Sequence, residues 1–149
     1  VGLEEYNSKR DFARTSEPPG SNKPAGDSAA RFVVQKHAAS HLHYDFRLEM
    51  DGVLKSWAVP KGVPEQPGIR RLAVQTEDHP LDYITFEGVI PEGEYGAGRV
   101  EIWDSGTFEV AGIDSKKIEF KLKGRKLTGS YVLVHTGQDN WLMLKKKGD

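Results

Sequence analysis

Residues 42–59, LHYDFRLEMDGVLKSWAV, alternate apolar and polar side chains on both sides of Asp51-Gly52. Period-two alternation sends successive side chains to opposite faces of a strand, and Asp-Gly supplies the positive-φ pair of a type I′ turn. The stretch therefore predicts a β-hairpin made of Leu42–Met50 and Val53–Val59. The same alternation recurs outward from it, at 32–36, 72–76, 100–103, 107–110, 118–122, 131–135 and 141–145, with Gly106, Gly112, Gly124, Gly129 and Gly137 punctuating the later runs. A 3.6-residue period is sustained only over 3–13, where one short helix is expected. Many short strands with glycine-rich turns predict an all-β, mainly antiparallel protein: a small closed β-barrel, with the N-terminal helix or loop packed over it. Residues 18–30, PPGSNKPAGDSAA, read as a loop or linker, so the packed core should begin near Arg31.

The chain has 149 residues, one domain's worth, and 37% hydrophobic with 29% charged residues suits a globular protein rather than a disordered one. A chain of this size buries enough surface to fold without a staple, so any metal it holds would serve chemistry. No apolar run approaches a membrane span, and the N-terminus shows no signal-peptide pattern. The absence of cysteine excludes disulfides, thiolate metal ligands and thiol nucleophiles. The net charge of -1 conceals a pattern: residues 1–30, 31–71, 72–115 and 116–149 carry -1, +3, -9 and +6. A nucleic-acid partner would have to meet a local basic face, because the whole molecule offers no positive field.

Chemistry concentrates in residues 35–50, QKHAASHLHYDFRLEM. On a strand, His41, His43, Asp45, Arg47 and Glu49 share one face, and Leu42, Tyr44, Phe46, Leu48 and Met50 share the other. An ordinary wet strand face favours Thr, Lys, Ser and Glu. Two imidazoles, a carboxylate and a guanidinium in strict alternation are better explained by something they bind. His43 and Asp45 can reach one ion, and His37 supplies a third ligand if the chain turns at 38–40. Such a set leaves open positions on Mn²⁺, Zn²⁺ or Fe²⁺ for water and substrate. Arg47, one step along, would suit a phosphate oxygen, whose geometry its fork matches. Lys61 and the Arg70-Arg71 pair are further cationic candidates. His79 lies in EDHPLDY, where Glu77, Asp78 and Asp82 should favour its protonated form and let it donate to a leaving group. Tyr83 offers a hydroxyl or a core ring. Residues 88–100, GVIPEGEYGAGRV, lack a phosphate-loop order and read as structural.

The runs RFVVQKHAASHLHYDFRLEMDGVLKSWAVPKG and EDHPLDYITFEGVIPEGEYGAGRVEIWDSG, with the lead-in KRDFARTSEPPG, resemble the 3′-phosphoesterase domain of the DNA ligase D family, over residues 3–145. The resemblance implies a β-barrel that uses a transition metal, typically Mn²⁺, with Zn²⁺ or Co²⁺ as alternatives in the same site. It implies a two-step activity on a primer strand ending in a ribonucleotide: removal of the terminal nucleoside to leave a 3′-phosphate, then hydrolysis of that phosphate to a 3′-OH. The substrate would be a DNA primer-template with a 3′-terminal ribonucleotide or 3′-phosphate, handled in the prokaryotic cytoplasm by a monomer with ligase, polymerase and Ku partners of end joining. Carried over by motif, His37, His43 and Asp45 would ligate the metal. Arg10, Asp11 and Glu17 would bring the N-terminal arm, residues 1–30, to the site of the barrel at 31–149. Arg47, Lys61, Arg71, His79 and Tyr83 would engage the phosphate or support the chemistry, with Gln35 and Ser56 as secondary contacts. Two other readings compete: a non-catalytic nucleic-acid-binding barrel, which leaves the His/Asp face unexplained, and a cupin-like oxidoreductase or isomerase, which lacks the glutamate expected just after HLH.

Overall fold

The computed structural model of the chain describes residues 3–20 and 30–148. A short helix, α1 (Glu4–Ser8), precedes nine strands: β1 (Arg31–Ala38), β2 (Leu42–Met50), β3 (Val53–Val59), β4 (Arg70–His79), β5 (Gly88–Ile90), β6 (Gly98–Ile113), β7 (Lys117–Gly124), β8 (Thr128–Gly137) and β9 (Asn140–Lys145). A 3₁₀ turn, Leu81–Thr85, links β4 to β5. The ladders are antiparallel in the order β1-β2-β3-β4-β9-β8-β7-β6, and β6 returns to β1, closing eight strands into a barrel with β5 appended to β6. Closure leaves the ring without an open edge. The deciding hairpin is as expected: Asp51 and Gly52 take φ of 56° and 79°, and Met50 faces Val53 across the turn.

Three local readings change. The expected strands at 100–103 and 107–110 are one continuous β6, whose first half pairs with β1 and second half with β7. Gly106 does not break it: a Cβ there would lie 2.1 Å from the Lys123 carbonyl oxygen, so the glycine permits a close strand approach rather than a turn. The helix expected over 3–13 stops at Ser8, because Asp11 accepts from the Ala13 amide and bends the chain toward Glu17. β5 was not anticipated; three residues are too short for a period to show. Of the expected loop, 18–20 have no regular structure and 21–29 lie outside the described residues.

Two hydrophobic clusters sit on opposite faces of β1–β3. The barrel interior is filled by Phe32, Phe46, Trp57, Phe120, Tyr131 and Met143 among others. The outer face carries Val33 and Leu54, covered by Tyr6 of α1 and by Leu81, Tyr83 and Phe86 around the 3₁₀ turn. Tyr6 is fully buried, and burying a side chain of that size contributes roughly 1.5–3 kcal/mol, which ties the N-terminal segment to the barrel. This second cluster is why the polar face of β2 is not simply in water. No helix among the described residues is long and apolar enough to cross a membrane.

Candidate metal centre and active site

Strand register assembles the site. Across β1 and β2, His37 faces His43, Gln35 faces Asp45 and Val33 faces Arg47; across β2 and β3, Arg47 faces Ser56. One ligand atom each from His37, His43 and Asp45 falls within 4.8 Å of the others. His37 Nε2 lies 2.6 Å from the Gly96 carbonyl and His43 Nδ1 lies 3.0 Å from the His41 carbonyl, so each of these nitrogens must carry the hydrogen it donates. The opposite nitrogens, His37 Nδ1 and His43 Nε2, face the two Asp45 oxygens at 3.3 and 3.2 Å. Each of these nitrogens can meet the carboxylate through a proton, or turn a lone pair to an ion held among the three groups. The donor set fits a divalent metal, with the outer carbonyls fixing the ring orientations as such sites require.

Asp45 is held well below the ordinary carboxylate range: burial alone would raise it, but the Arg47 guanidinium and the hydrogen bonds from His37 and His43 outweigh burial. The hydrogen bond to Asp45 pushes His43 up, against burial. A metal replaces those protons, so proton and metal compete for one set of atoms. Arg47, buried itself, donates from Nε to Gln35 Oε1 at 2.7 Å and from Nη1 to Ser56 Oγ at 2.9 Å, and its Nη2 lies 3.5 Å from Asp45. Gln35 is in turn fixed by donating to the carbonyls of Tyr83 and Phe86. Of five guanidinium N–H groups, these contacts leave one on each terminal nitrogen.

The N-terminal segment forms the opposite wall. Arg10 Nε donates to Glu17 at 3.1 Å, and its Nη1 donates to the Tyr6 carbonyl and to Glu77, at 3.0 and 3.1 Å. Glu17 also accepts from Thr15 and, at 2.5 Å, from the Tyr83 hydroxyl. Burial, together with Glu17, drives the Tyr83 phenol far above its ordinary value, so it stays protonated. The pocket enclosed by these residues has a volume of about 320 Å³.

His79 requires a correction. The flanking acids were expected to favour its imidazolium, yet its pKa lies well below the ordinary value, because of burial first and then the Arg47 and Arg10 charges. Strand alternation explains the reversal. Asp78 points away to Lys55 at 3.2 Å, and the Glu77 carboxylate is engaged by Arg10 and Lys9. His79 Nδ1 donates to the Glu77 carbonyl at 3.0 Å, leaving Nε2 as an acceptor 3.5 Å from Arg10 Nη2. A neutral ring in this tautomer can accept a proton but has none to give a leaving group. The sign of the linkage follows: the folded pKa is depressed, so the stabilisation is complete above the unfolded value of ~6.5 and is lost as pH falls below it. Thermal unfolding from pH 7.5 to 5 is expected to show a falling Tm whose slope is shallower in His79→Gln; an unchanged slope would refute the buried neutral assignment.

Residues 35–135 match the family model of the DNA ligase D 3′-phosphoesterase domain. The chain belongs to that family. It is 52% identical to the multifunctional non-homologous end joining protein LigD of Pseudomonas aeruginosa over 156 residues, 97% of this chain and 18% of that protein. It is 47% identical to its namesake in Mycobacterium bovis over 149 residues, 97% of this chain and 20% of that one. The phosphoesterase-domain chain thus spans about a fifth of the length of these relatives.

Within this phosphoesterase domain, His37, His43, Asp45, Arg47, His79, Tyr83, Arg10 and Glu17 line one pocket. Gln35 and Ser56 lie behind it, holding Arg47. Asp11 is exposed and shapes the turn after α1 rather than lining the pocket. Lys61 and Arg71 are not brought there; they border a second cavity. Sequence reasoning missed Glu77, Tyr95 and Gly96, which line the same pocket as His37, His43 and Asp45. The signal for Gly96 was present in the glycine-rich run read as structural: with φ 76° and its carbonyl on His37, it serves the metal centre through its backbone.

Proposed function

We propose that this domain is a metal-dependent DNA 3′-end-processing enzyme, acting as a 3′-ribonucleoside phosphodiesterase and a 3′-phosphomonoesterase. The observation that carries the proposal is the convergence of one ligand atom each from His37, His43 and Asp45 within 4.8 Å, with Arg47 beside them, in a barrel of the 3′-phosphoesterase family. Mn²⁺ suits two imidazoles and a carboxylate, and Zn²⁺ or Co²⁺ would suit the same donors. When bound, the ion supplies Lewis-acid polarisation of a phosphoryl oxygen. The remaining work falls to the chain. Arg47, pre-oriented by Gln35 and Ser56, offers its two spare N–H groups to phosphate oxygens as negative charge gathers there. His79 Nε2 can accept a proton or hydrogen bond on the side of the pocket facing Arg10. Arg10, Glu17 and Tyr83 form one hydrogen-bonded wall, through which the arm at residues 1–30 belongs functionally to the barrel at 31–149.

The substrate in this reading is a primer-template whose primer ends in a ribonucleotide or a 3′-phosphate. The relatives' names place them in non-homologous end joining, and we assign this domain, as a monomer, to the same setting alongside ligase, polymerase and Ku activities. The decisive assay is shortening of a labelled ribonucleotide-ended primer upon addition of Mn²⁺, with an EDTA control. An all-DNA primer is expected to lose its terminal nucleoside on the order of a hundredfold more slowly, the 2′-OH being the group that separates the two. Equal rates on both ends would remove ribonucleotide selectivity from the proposal, and no metal-stimulated shortening of either would remove the activity.

A further inference from the structure

Another cavity adjoins the catalytic pocket on the side of α1. Its volume of about 350 Å³ falls inside the range of roughly 300–1,000 Å³ usual for small-ligand sites. Thr76, Glu77 and Tyr95 line both cavities, and Glu5, Lys9, Gln75 and Asp139 complete this one. The two differ in charge. Arg47 brings spare N–H groups to the catalytic pocket, whereas the cation on the neighbouring wall, Lys9, is already held by Glu5 at 2.9 Å and by Glu77 at 3.5 Å. With Asp139 beside them, this wall repels anions and offers nothing to pair with a phosphate. What it does offer is hydrogen bonding. Gln75 Oε1 accepts from Trp141 Nε1 at 3.1 Å, which leaves the Gln75 amide hydrogens as donors. Thr76 supplies a hydroxyl, and Asp139, exposed and without an ion pair among the described residues, supplies an acceptor.

Tyr95 stands between the two cavities. Its side chain is 47% exposed although Lys9 Nζ lies 4.6 Å over the ring and the Arg10 guanidinium 5.3 Å, so the ring is held in place without being covered. The next residue, Gly96, accepts from His37 through its carbonyl, so the segment that orients a metal ligand also sets this ring. Tyr83, the other tyrosine of the catalytic pocket, is buried and spends its hydroxyl on Glu17. An exposed flat ring beside uncharged donors and acceptors suits a base carrying a sugar: the ring takes the face of the base, and hydrogen bonds take its edge and the hydroxyls. Hydrolysis of a terminal phosphodiester produces such a group. The hydroxyl of water joins phosphorus, the bond from phosphorus to the terminal 5′-oxygen breaks, and that oxygen departs with the remaining proton of the water. The phosphate stays on the primer and an uncharged nucleoside leaves. We infer that this cavity is the subsite for the departing nucleoside, with Tyr95 against its base and Gln75, Thr76 and Asp139 on its polar edge. Its place in the reaction rests on the end-processing reading; nucleoside binding itself does not.

The test compares the full chain, with Mn²⁺, on a ribonucleotide-ended primer and on the same primer ended by a 3′-phosphate, which has no nucleoside to seat. Tyr95→Ala should lower kcat/KM on the first primer by about 5–100-fold, mostly through KM, the usual worth of one stacked base. The ratio of the two activities should fall by the same factor. Tyr95→Trp, which keeps an aromatic face, should restore it. On a primer whose terminal ribose carries no base, the unaltered chain and Tyr95→Ala should cleave at equal rates. An equal loss on both primers, or the same loss on the base-free end, would make Tyr95 a structural support of the His37 segment and overturn the inference. Adenosine alone, followed by saturation-transfer NMR on the full chain, separates the subsite from the activity. Its signal should be present with the unaltered chain and lost with Tyr95→Ala; no signal with the unaltered chain would overturn the inference as well. Adenosine binding by a chain that cleaves neither primer would sink the enzymatic reading and leave the subsite standing.

Discussion

Replacing His43 with alanine is expected to lower metal-supported hydrolysis of a ribonucleotide-ended primer by about a thousandfold or more, the several kcal/mol that a Lewis-acid ion contributes to a phosphoryl transition state. The barrel should survive the change. His43 is only half-buried, and its ring contributes to the rim of the pocket rather than to either hydrophobic cluster. Two further readouts separate a ligand from a merely structural ring. Mn²⁺ should raise the Tm of the unaltered chain by mass action and leave that of His43→Ala nearly unmoved, since a ligand that binds only the folded state stabilises it. Metal affinity should also fall as pH drops through the range where His43 is protonated. Its hydrogen bond to Asp45 raises its pKa, so that loss begins at a higher pH than an ordinary imidazole would give. Full turnover in His43→Ala with a normal Mn²⁺-induced Tm shift would defeat the metal assignment.

How much of this could be read from the sequence depended on whether the controlling interaction was local. The hairpin at Asp51-Gly52 was legible because a two-residue turn and period-two alternation are properties of consecutive residues. His43, Asp45 and Arg47 were legible for the same reason, sharing one strand face. The state of His79 was not. Sequence neighbours Glu77 and Asp78 are acidic, but the pleat sends Asp78 to the other face, and two arginines remote in sequence, Arg10 and Arg47, set the field. Gly106 misled in a similar way: its role is to admit the Lys123 backbone, a residue of another strand. Lys61 and Arg71 were expected near the phosphate only through the family resemblance, and only closure of the barrel decides that they border a different cavity from Arg47.

Substitution of Arg47 should damage stability and catalysis by separable amounts. Its side chain is 4% exposed and joins Gln35, Ser56 and Asp45 through three different nitrogens. Arg47→Met strands the Asp45 carboxylate beside that network, and breaking a buried pair from one side costs about 3–5 kcal/mol. The pH dependence should change with it. Asp45 is now held below its unfolded pKa of ~3.9, so its stabilising contribution is present above that pH and is lost as pH falls through the folded value. Without Arg47 the burial penalty is less opposed, the folded pKa rises, and the loss should begin at higher pH, visible in urea unfolding followed from pH 7 downward. Arg47→Lys keeps the charge but places one nitrogen where three made contacts, and an ammonium cannot grip two phosphate oxygens while holding Gln35 and Ser56. Its kcat should fall by about 10²–10³-fold, the loss typical of removing one transition-state donor, with a much smaller change in Tm than in Arg47→Met. A lysine variant with unaltered kcat/KM would leave Arg47 as a structural organiser of Asp45 and take it off the reacting phosphate.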